Sequence, residues 1–187
     1  MHAKPFALSL SLMCGVLILP VTASASTFAR VSDSQIACEA SDIIHGQVVE
    51  VRSAWDEERV AIWTTATVQV HGKVKGNMLR GGVIEVKEIG GTVNGFTVKA
   101  IGFPTFRRGE EVVMLLQPWD NGSSAYRVWG YGRGMYNIAR DGRQGAVAHR
   151  HDTRESGRAT MFTDRIPPVV PLDRLNRELA ALGNNCR

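Results

Sequence analysis

The amino-acid sequence predicts a mainly β protein: a small closed or partly open β-barrel of six or seven short strands, with a short N-terminal helix and a C-terminal amphipathic helix. Three observations lead to this prediction. Short runs rich in β-branched residues recur between residues 43 and 138, turn signals separate these runs, and helix signals flank the region on both sides. The chain shows no internal repeat, so residues 26–187 are predicted to form a single domain.

The N-terminal residues have the three zones of a cleavable export signal. Lys4 supplies a positive charge, an apolar run extends over residues 6–19, and Pro20 ends that run before an Ala-x-Ala site that closes at Ala25. This pattern predicts a signal peptide over residues 1–25 and a mature protein in the periplasm or the secreted space. The alternative is a retained membrane anchor, but a spanning helix needs about 20 apolar residues, more than this run contains.

The charge balance does not indicate a nucleic-acid partner. The chain carries 22 Lys and Arg against 18 Asp and Glu, a formal net charge of +4, and loss of Lys4 with the signal would reduce it by one. This excess is mild, and export separates a protein from nucleic acid. No later segment is apolar enough to span a bilayer. The predicted partner is therefore another envelope or secreted protein, with no nucleic acid and no transmembrane segment.

The cysteines predict one disulfide. Cys14 leaves with the signal, and Cys38 and Cys186 remain near opposite ends of the mature chain. An even pair in an exported protein favours a bridge, whereas the alternative is two free thiols that never meet. In the chain-entropy treatment, a bridge that closes so long a loop stabilises the fold by about 4–5 kcal/mol.

The predicted elements run from a helix into strands. Ser32 or Asp33 is placed to cap a short helix, and Gln35, three residues after Ser32, suits a capping box. Residues 43–52 follow as a strand in which adjacent Val48 and Val49 interrupt the alternation, as a β-bulge does, and a strand that coils in this way fits a barrel of the OB type best. Residues 112–116 are apolar throughout, so we expect them at the centre of the core. The other strands are predicted over residues 62–70, 83–89, 96–101, 126–129 and 135–138.

The last part of the sequence predicts a loop and a helix. Residues 143–165 contain several arginines and few large apolar side chains, and this composition predicts a mobile segment. Residues 172–182 are predicted to form an amphipathic helix that docks on the domain's own core, although a partner-binding helix has the same pattern. The leucines that share its apolar face are Leu172, Leu175, Leu179 and Leu182.

Two motifs resemble segments of a class of uncharacterised exported bacterial proteins. Ser41–Val48 reads SDIIHGQV, and in that class a strand of the pattern (A/S)-D-(I/V)-hydrophobic-x-G-x-V precedes a second strand that ends near Lys-Gly. Gly102–Val112 reads GFPTFRRGEEV and resembles the G-x-P-x-F-x-x-G-E-E-V segment of the same proteins. The resemblance extends from residue 35 to about residue 140. It implies an exported β-domain and carries no catalytic residues with it.

The first motif is also similar to the opening strand of TIMP and netrin-type OB domains, which bind other proteins. This chain lacks the dense cysteines of those domains and the N-terminal cysteine with which the TIMPs reach a protease metal. The similarity implies a protein-binding role. One alternative function is accordingly that of a protease partner or an inhibitor-like domain.

None of the familiar catalytic motifs is present in the sequence. One cluster of residues, which contains histidines, has the character of a metal-binding site. In an extended segment His149 and His151 project to the same side, and with Asp152 they are the predicted metal ligands. His45 or His71 would be needed to complete the shell. This set predicts a metal-dependent exported hydrolase as the runner-up function, with a bound metal ion, whereas the leading function below requires no cofactor. The other interpretation is a polar loop with solvated histidines.

Two tryptophans are candidates for an interaction surface. Trp63 lies on the polar face of its predicted strand, and Trp55 follows the first strand. Tryptophans often anchor protein interfaces, although loops or the C-terminal helix would cover Trp63 in the alternative interpretation. Together with the export signal and the lack of catalytic motifs, these residues predict a non-catalytic binding module of the cell envelope or secreted space as the leading function.

Overall fold

The computed structural model describes residues 31–119, 124–142, 145–151 and 166–186. Within these ranges the chain forms ten β-strands, two α-helices and one short 3-10 helix at Tyr131–Gly134. The helices are α1 (Asp33–Glu39) and α2 (Leu172–Asn184). The strands are β1 (Asp42–Trp55), β2 (Ile62–Lys75), β3 (Val83–Ile89), β4 (Gly91–Val93), β5 (Phe96–Val98), β6 (Glu111–Pro118), β7 (Tyr126–Val128), β8 (Met135–Asp141), β9 (Gly145–Arg150) and β10 (Val169–Pro171).

Five of these strands close a barrel in the order β1, β2, β3, β7, β6. β1 pairs antiparallel with β2 along one edge and with β6 along the other. A parallel contact between Val86 of β3 and Tyr126 of β7 completes the ring. This confirms the prediction of a mainly β fold built on a small barrel with a helix at each end. The sheet continues past β6 through β8, β9 and β10, and β4 and β5 form a separate hairpin.

The first strand coils through irregularities in its pairing with β2. The predicted bulge is present: Val48 faces Val68 and Glu50 faces Thr67, so Val49 is the extra residue on β1. Two further register shifts follow towards the start of β1, between Ile43 and Ile44 and between His45 and Gly46. At these two shifts the extra residues, Val74 and His71, lie on β2. Because bulges increase local twist, the β1–β2 pair coils strongly, as a small barrel requires.

The core has two parts, one on each side of the β1–β6 sheet. The barrel interior holds Val112, Met114 and Leu116 of β6, together with apolar side chains of the other barrel strands. Val113 and Leu115 point the other way, into a second cluster that α1 and α2 cover. This burial on both faces explains why residues 112–116 are all apolar, and it confirms the prediction that they lie at the centre of the core.

The two helices and the disulfide close the outer core. Ser32 caps α1 by accepting a hydrogen bond from the Gln35 amide at 3.1 Å. α2 buries Leu175, Leu179 and Leu182 against α1 and the sheet, which confirms the predicted helix and its docking on the domain itself. Cys38 and Cys186 form the predicted bridge, with their Cα atoms 5.3 Å apart.

A buried ionic contact attaches the start of α1 to the extended sheet. The Asp33 carboxylate accepts hydrogen bonds from Arg150 at 2.7 and 3.2 Å, from Arg133 at 3.2 Å and from the Ile166 amide at 2.9 Å. Burial favours the neutral acid, but the hydrogen bonds and charges of the arginines outweigh it and lower the pKa of Asp33. The carboxylate is therefore ionised and fully partnered.

One prediction about this region is wrong in part. Residues 145–150, which the composition assigned to a mobile segment of residues 143–165, are strand β9, paired with β8 on one side and β10 on the other. The arginine content was misleading because Arg150 is buried beside Asp33, its side chain only 8% exposed. Residues 152–165 lie outside the described residues, as does the predicted signal peptide.

No helix among the described residues has the length and apolar character needed to cross a membrane.

Candidate functional site

The outer surface of the barrel carries a group of aromatic and basic side chains, which we call the tryptophan face. Its members lie on β2, β3 and β7 and just after β6 and β7, and they are Trp63, Lys87, Trp119, Arg127 and Trp129. Strand alternation places them on the outside: on β2, Ile62 and Thr64 are buried, and Trp63 between them points outwards and is half-buried.

The members of the tryptophan face stack on one another. The rings of Trp63 and Trp119 meet edge to face, with centroids 5.6 Å apart. The Lys87 ammonium lies 5.2 Å from the centroid of the Trp63 ring. The Arg127 guanidinium lies 5.3 Å from the Trp119 ring and 5.1 Å from the Trp129 ring. These distances are within the range of cation–π attraction, so each cation is positioned by a ring.

Hydrogen bonds fix the orientation of two of the rings. The Trp119 indole donates to the Lys87 carbonyl oxygen at 3.1 Å, and the Trp129 indole donates to the Glu39 carboxylate at 2.9 Å. The second bond connects the face to helix α1. With their polar edges occupied, the rings of these tryptophans present mainly apolar surface and the charges of the stacked cations.

The two cations of the face keep their charge available to a ligand. Within the described ranges, neither Lys87 nor Arg127 has a carboxylate oxygen within 4.0 Å, whereas the nearby Arg52 pairs with Glu50 and Glu85. The Arg127 Nε atom is buried without a hydrogen-bond partner. The Arg127 residue as a whole is half-buried, and its Nη2 atom donates to the Gln117 side-chain oxygen at 3.5 Å. The chemistry of this face therefore suits an anionic group next to an apolar one.

Glu88 lies inside the barrel wall behind the face. Its side chain is buried, and it accepts a hydrogen bond from the Val128 amide at 2.6 Å. Burial raises the pKa of Glu88 to about 7, and the Val128 amide and the Arg127 charge oppose only part of that effect. Since Val128 lies between Arg127 and Trp129 in the chain, Glu88 supports the backbone that carries both.

No protein-family model and no curated protein matches this chain. The resemblance to exported bacterial β-domain proteins accordingly stays a prediction.

The two tryptophans singled out by sequence lie in different places. Trp63 is part of the tryptophan face. Trp55 is half-buried at the end of β1, where it faces Ile62 of β2. Among the described residues Trp55 makes no ring contact with Trp63, Trp119 or Trp129. The structure thus groups Trp63 with two tryptophans that the sequence did not assign to a surface.

The two histidines predicted as metal ligands have different surroundings. His149 is exposed on β9. His151 contacts the Asn137 side-chain oxygen through Nδ1 at 3.1 Å, and its Nε2 accepts from the Thr105 amide at 3.3 Å. Both ring nitrogens of His151 are occupied, which leaves no lone pair for a metal in this arrangement. Asp152, the third predicted ligand, lies outside the described residues.

A different set of side chains is close enough to share a metal ion. In the part of the chain that the structure describes, one group of three potential ligands has all its ligand atoms within 4.8 Å of one another: His45, His71 and Glu111. The sequence suggested the two histidines only as supplements to His149 and His151, and Glu111 was not considered. No motif spacing signals this set, because its members lie on three separate strands.

Proposed function

We propose that this protein is a non-catalytic binding module of the cell envelope or secreted space, and that it binds an acidic segment of another exported protein through the tryptophan face. The observation that carries this proposal is the alternation of three half-buried indole rings with two stacked cations on one face. Tryptophan and arginine are the residues most enriched among those that dominate interface energetics. The N-terminal signal pattern supports the location.

The charges on the face select the chemistry of the partner. Among the described residues, Lys87 and Arg127 form no ion pair within 4.0 Å, so both offer positive charge at the face. An approaching Asp or Glu side chain would meet the positive charges of Lys87 and Arg127, both half-buried, and neighbouring apolar side chains would contact the indole rings. An acidic segment that also carries apolar residues therefore matches both properties of the face.

A displayed library of random peptides tests this proposal directly. We expect selection on the purified protein to enrich peptides that combine Asp or Glu with apolar residues. Their binding should weaken as salt is added, since salt screens exposed charges. A double variant, Lys87→Gln with Arg127→Gln, should lose these peptides, whereas Arg174→Gln, an exposed change on α2, should retain them.

The tryptophans provide a second, matched comparison. Trp63→Ala should weaken binding of an enriched peptide at least about tenfold, in keeping with the loss of a central anchor. Trp55→Ala removes the same side chain from a position off the face and should leave the affinity unchanged. Enrichment of peptides without acidic residues would contradict the proposed acidic partner. Equal binding by the double variant and the wild type would show that the face is not the binding surface.

A further inference from the structure

A row of polar side chains crosses the outer surface of four adjacent strands, just beyond the helix-covered core. From β2 to β8 the row contains His71, His45, Glu111 and Arg140. Ile43 of β1 and Val113 of β6 are neighbours of the row in the sequence and belong to the buried cluster under α1 and α2. Buried apolar side chains therefore lie beside His45 and Glu111, which are half-buried, whereas His71 is exposed.

A bulge brings the two histidines together. On β1, His45 faces Gly72 and the next residue, Gly46, faces Val70, so His71 is the extra residue on β2. Bulges re-aim side chains and occur next to functional sites more often than elsewhere in sheets. The result is that the two imidazole rings lie with centroids 5.8 Å apart and nearly perpendicular, at 89°.

Gly46 allows this close strand approach. A Cβ atom built on Gly46 would lie 2.5 Å from the Gln69 carbonyl oxygen and 2.9 Å from a methyl of Val68. Any larger residue would therefore push β1 away from β2 next to His45. The glycine, the bulge and the histidine together determine the local geometry of the row.

The third group, Glu111, reaches the histidines from β6. Its Oε1 atom lies 2.6 Å from Nε2 of His45. Arg140 donates to both carboxylate oxygens of Glu111, with its Nε at 2.7 Å from Oε2. A carboxylate accepts at about four positions, so it retains room for a further contact while Arg140 holds its orientation. Metal-ligating carboxylates are commonly oriented by such outer partners.

We propose that His45, His71 and Glu111 form a binding site for Zn²⁺ or a similar late first-row divalent cation, with Arg140 as the positioning residue for Glu111. Two imidazoles and one carboxylate are ligands that zinc accepts, and three protein ligands leave one coordination position for water or an external group. The ion would take the place of the proton between His45 and Glu111. This site is independent of the tryptophan face.

The test uses the purified protein, freed of metal with a chelator and titrated with Zn²⁺ by calorimetry and with Co²⁺ by visible absorption. We expect one equivalent to bind, with Co²⁺ bands characteristic of a four-coordinate site. Affinity should fall as pH is lowered, since protons compete with the metal for imidazole nitrogens. His71→Ala, an exposed change that leaves the core intact, should abolish stoichiometric binding.

Two further variants separate a built site from adventitious histidine binding. Arg140→Gln should retain the ion with an affinity reduced about 10–100-fold, the usual effect of removing an outer partner. His149→Ala, which removes an exposed histidine elsewhere, should bind like the wild type. If the wild type binds no stoichiometric metal, or if His71→Ala and His149→Ala behave alike, the row is an ion-pair network and the proposal is wrong.

Discussion

Replacing Glu88 by glutamine should stabilise the protein at alkaline pH and leave it nearly unchanged at acid pH. The barrel wall buries the Glu88 carboxyl group and raises its pKa to about 7, from an ordinary value of 4.5. A raised pKa means that the folded state binds this proton more tightly than the unfolded state does. The stability contribution of the protonated group is fully present below about pH 4.5 and is lost as pH rises through about 7.

The size of the effect follows from the difference between the two pKa values. At 1.36 kcal/mol per pH unit, a change from 4.5 to about 7 corresponds to a loss of about 3 kcal/mol above pH 8. Glutamine has the shape of the protonated acid and keeps an oxygen acceptor for the Val128 amide. The free energies of unfolding of Glu88→Gln and the wild type should therefore diverge by up to about 3 kcal/mol between pH 4.5 and 8.

Urea unfolding, monitored by tryptophan fluorescence at a series of pH values, measures this divergence. The matched control is the same substitution on the same strand at an exposed position, Glu85→Gln, where the side chain is 49% exposed. If the difference between Glu88→Gln and the wild type is the same at pH 5 and pH 8, the reasoning from burial is refuted. A destabilised variant at every pH would show instead that the glutamine amide lacks a partner.

Three other changes test the fold. Asp33→Asn should lower the free energy of unfolding by about 3–5 kcal/mol, because it leaves Arg150 buried without its counter-ion. Since the pKa of Asp33 is lowered, the stability advantage of the wild type should disappear as pH falls below the ordinary value of 3.8. An advantage that persists in acid would contradict this. Cys186→Ser should cost up to about 5 kcal/mol by denaturant titration, and reduction of the wild type should reproduce that loss. Leu179→Ala should cost about 2–5 kcal/mol in a thermal melt, whereas the exposed Arg177→Ala should change little.

Local patterns predicted the elements well where the residues alternate or repeat. Residues 62–70 alternate because β2 has one face inside the barrel, and the leucines of α2 follow the helical period because a single stripe contacts the sheet. β9 was missed because Ala and Gly give it little hydrophobic signal. The buried ion pair of Arg150 could not be predicted either, since its partner Asp33 is 117 positions away in the chain.

The candidate sites depend on strand register, which a sequence does not contain. His45 and Glu111 are 66 positions apart and meet only because β1 pairs with β6. His71 joins them through a one-residue bulge, and a regular pairing would place it differently. In the same way, Trp63 and Trp119 come into contact across the barrel surface, although each was recognisable as a tryptophan on or beside a predicted strand.

The bridge between Cys38 and Cys186, which are 148 positions apart, makes a covalent ring that contains every strand of the described chain. A protease that cuts one peptide bond inside this ring opens it without releasing a fragment, because both products stay joined through sulfur. The cleaved protein would release a fragment only after a second cut inside the ring or after a reductant breaks the disulfide. In surroundings rich in proteases and poor in thiols, a nicked copy would keep its barrel, its tryptophan face and its histidines in one molecule.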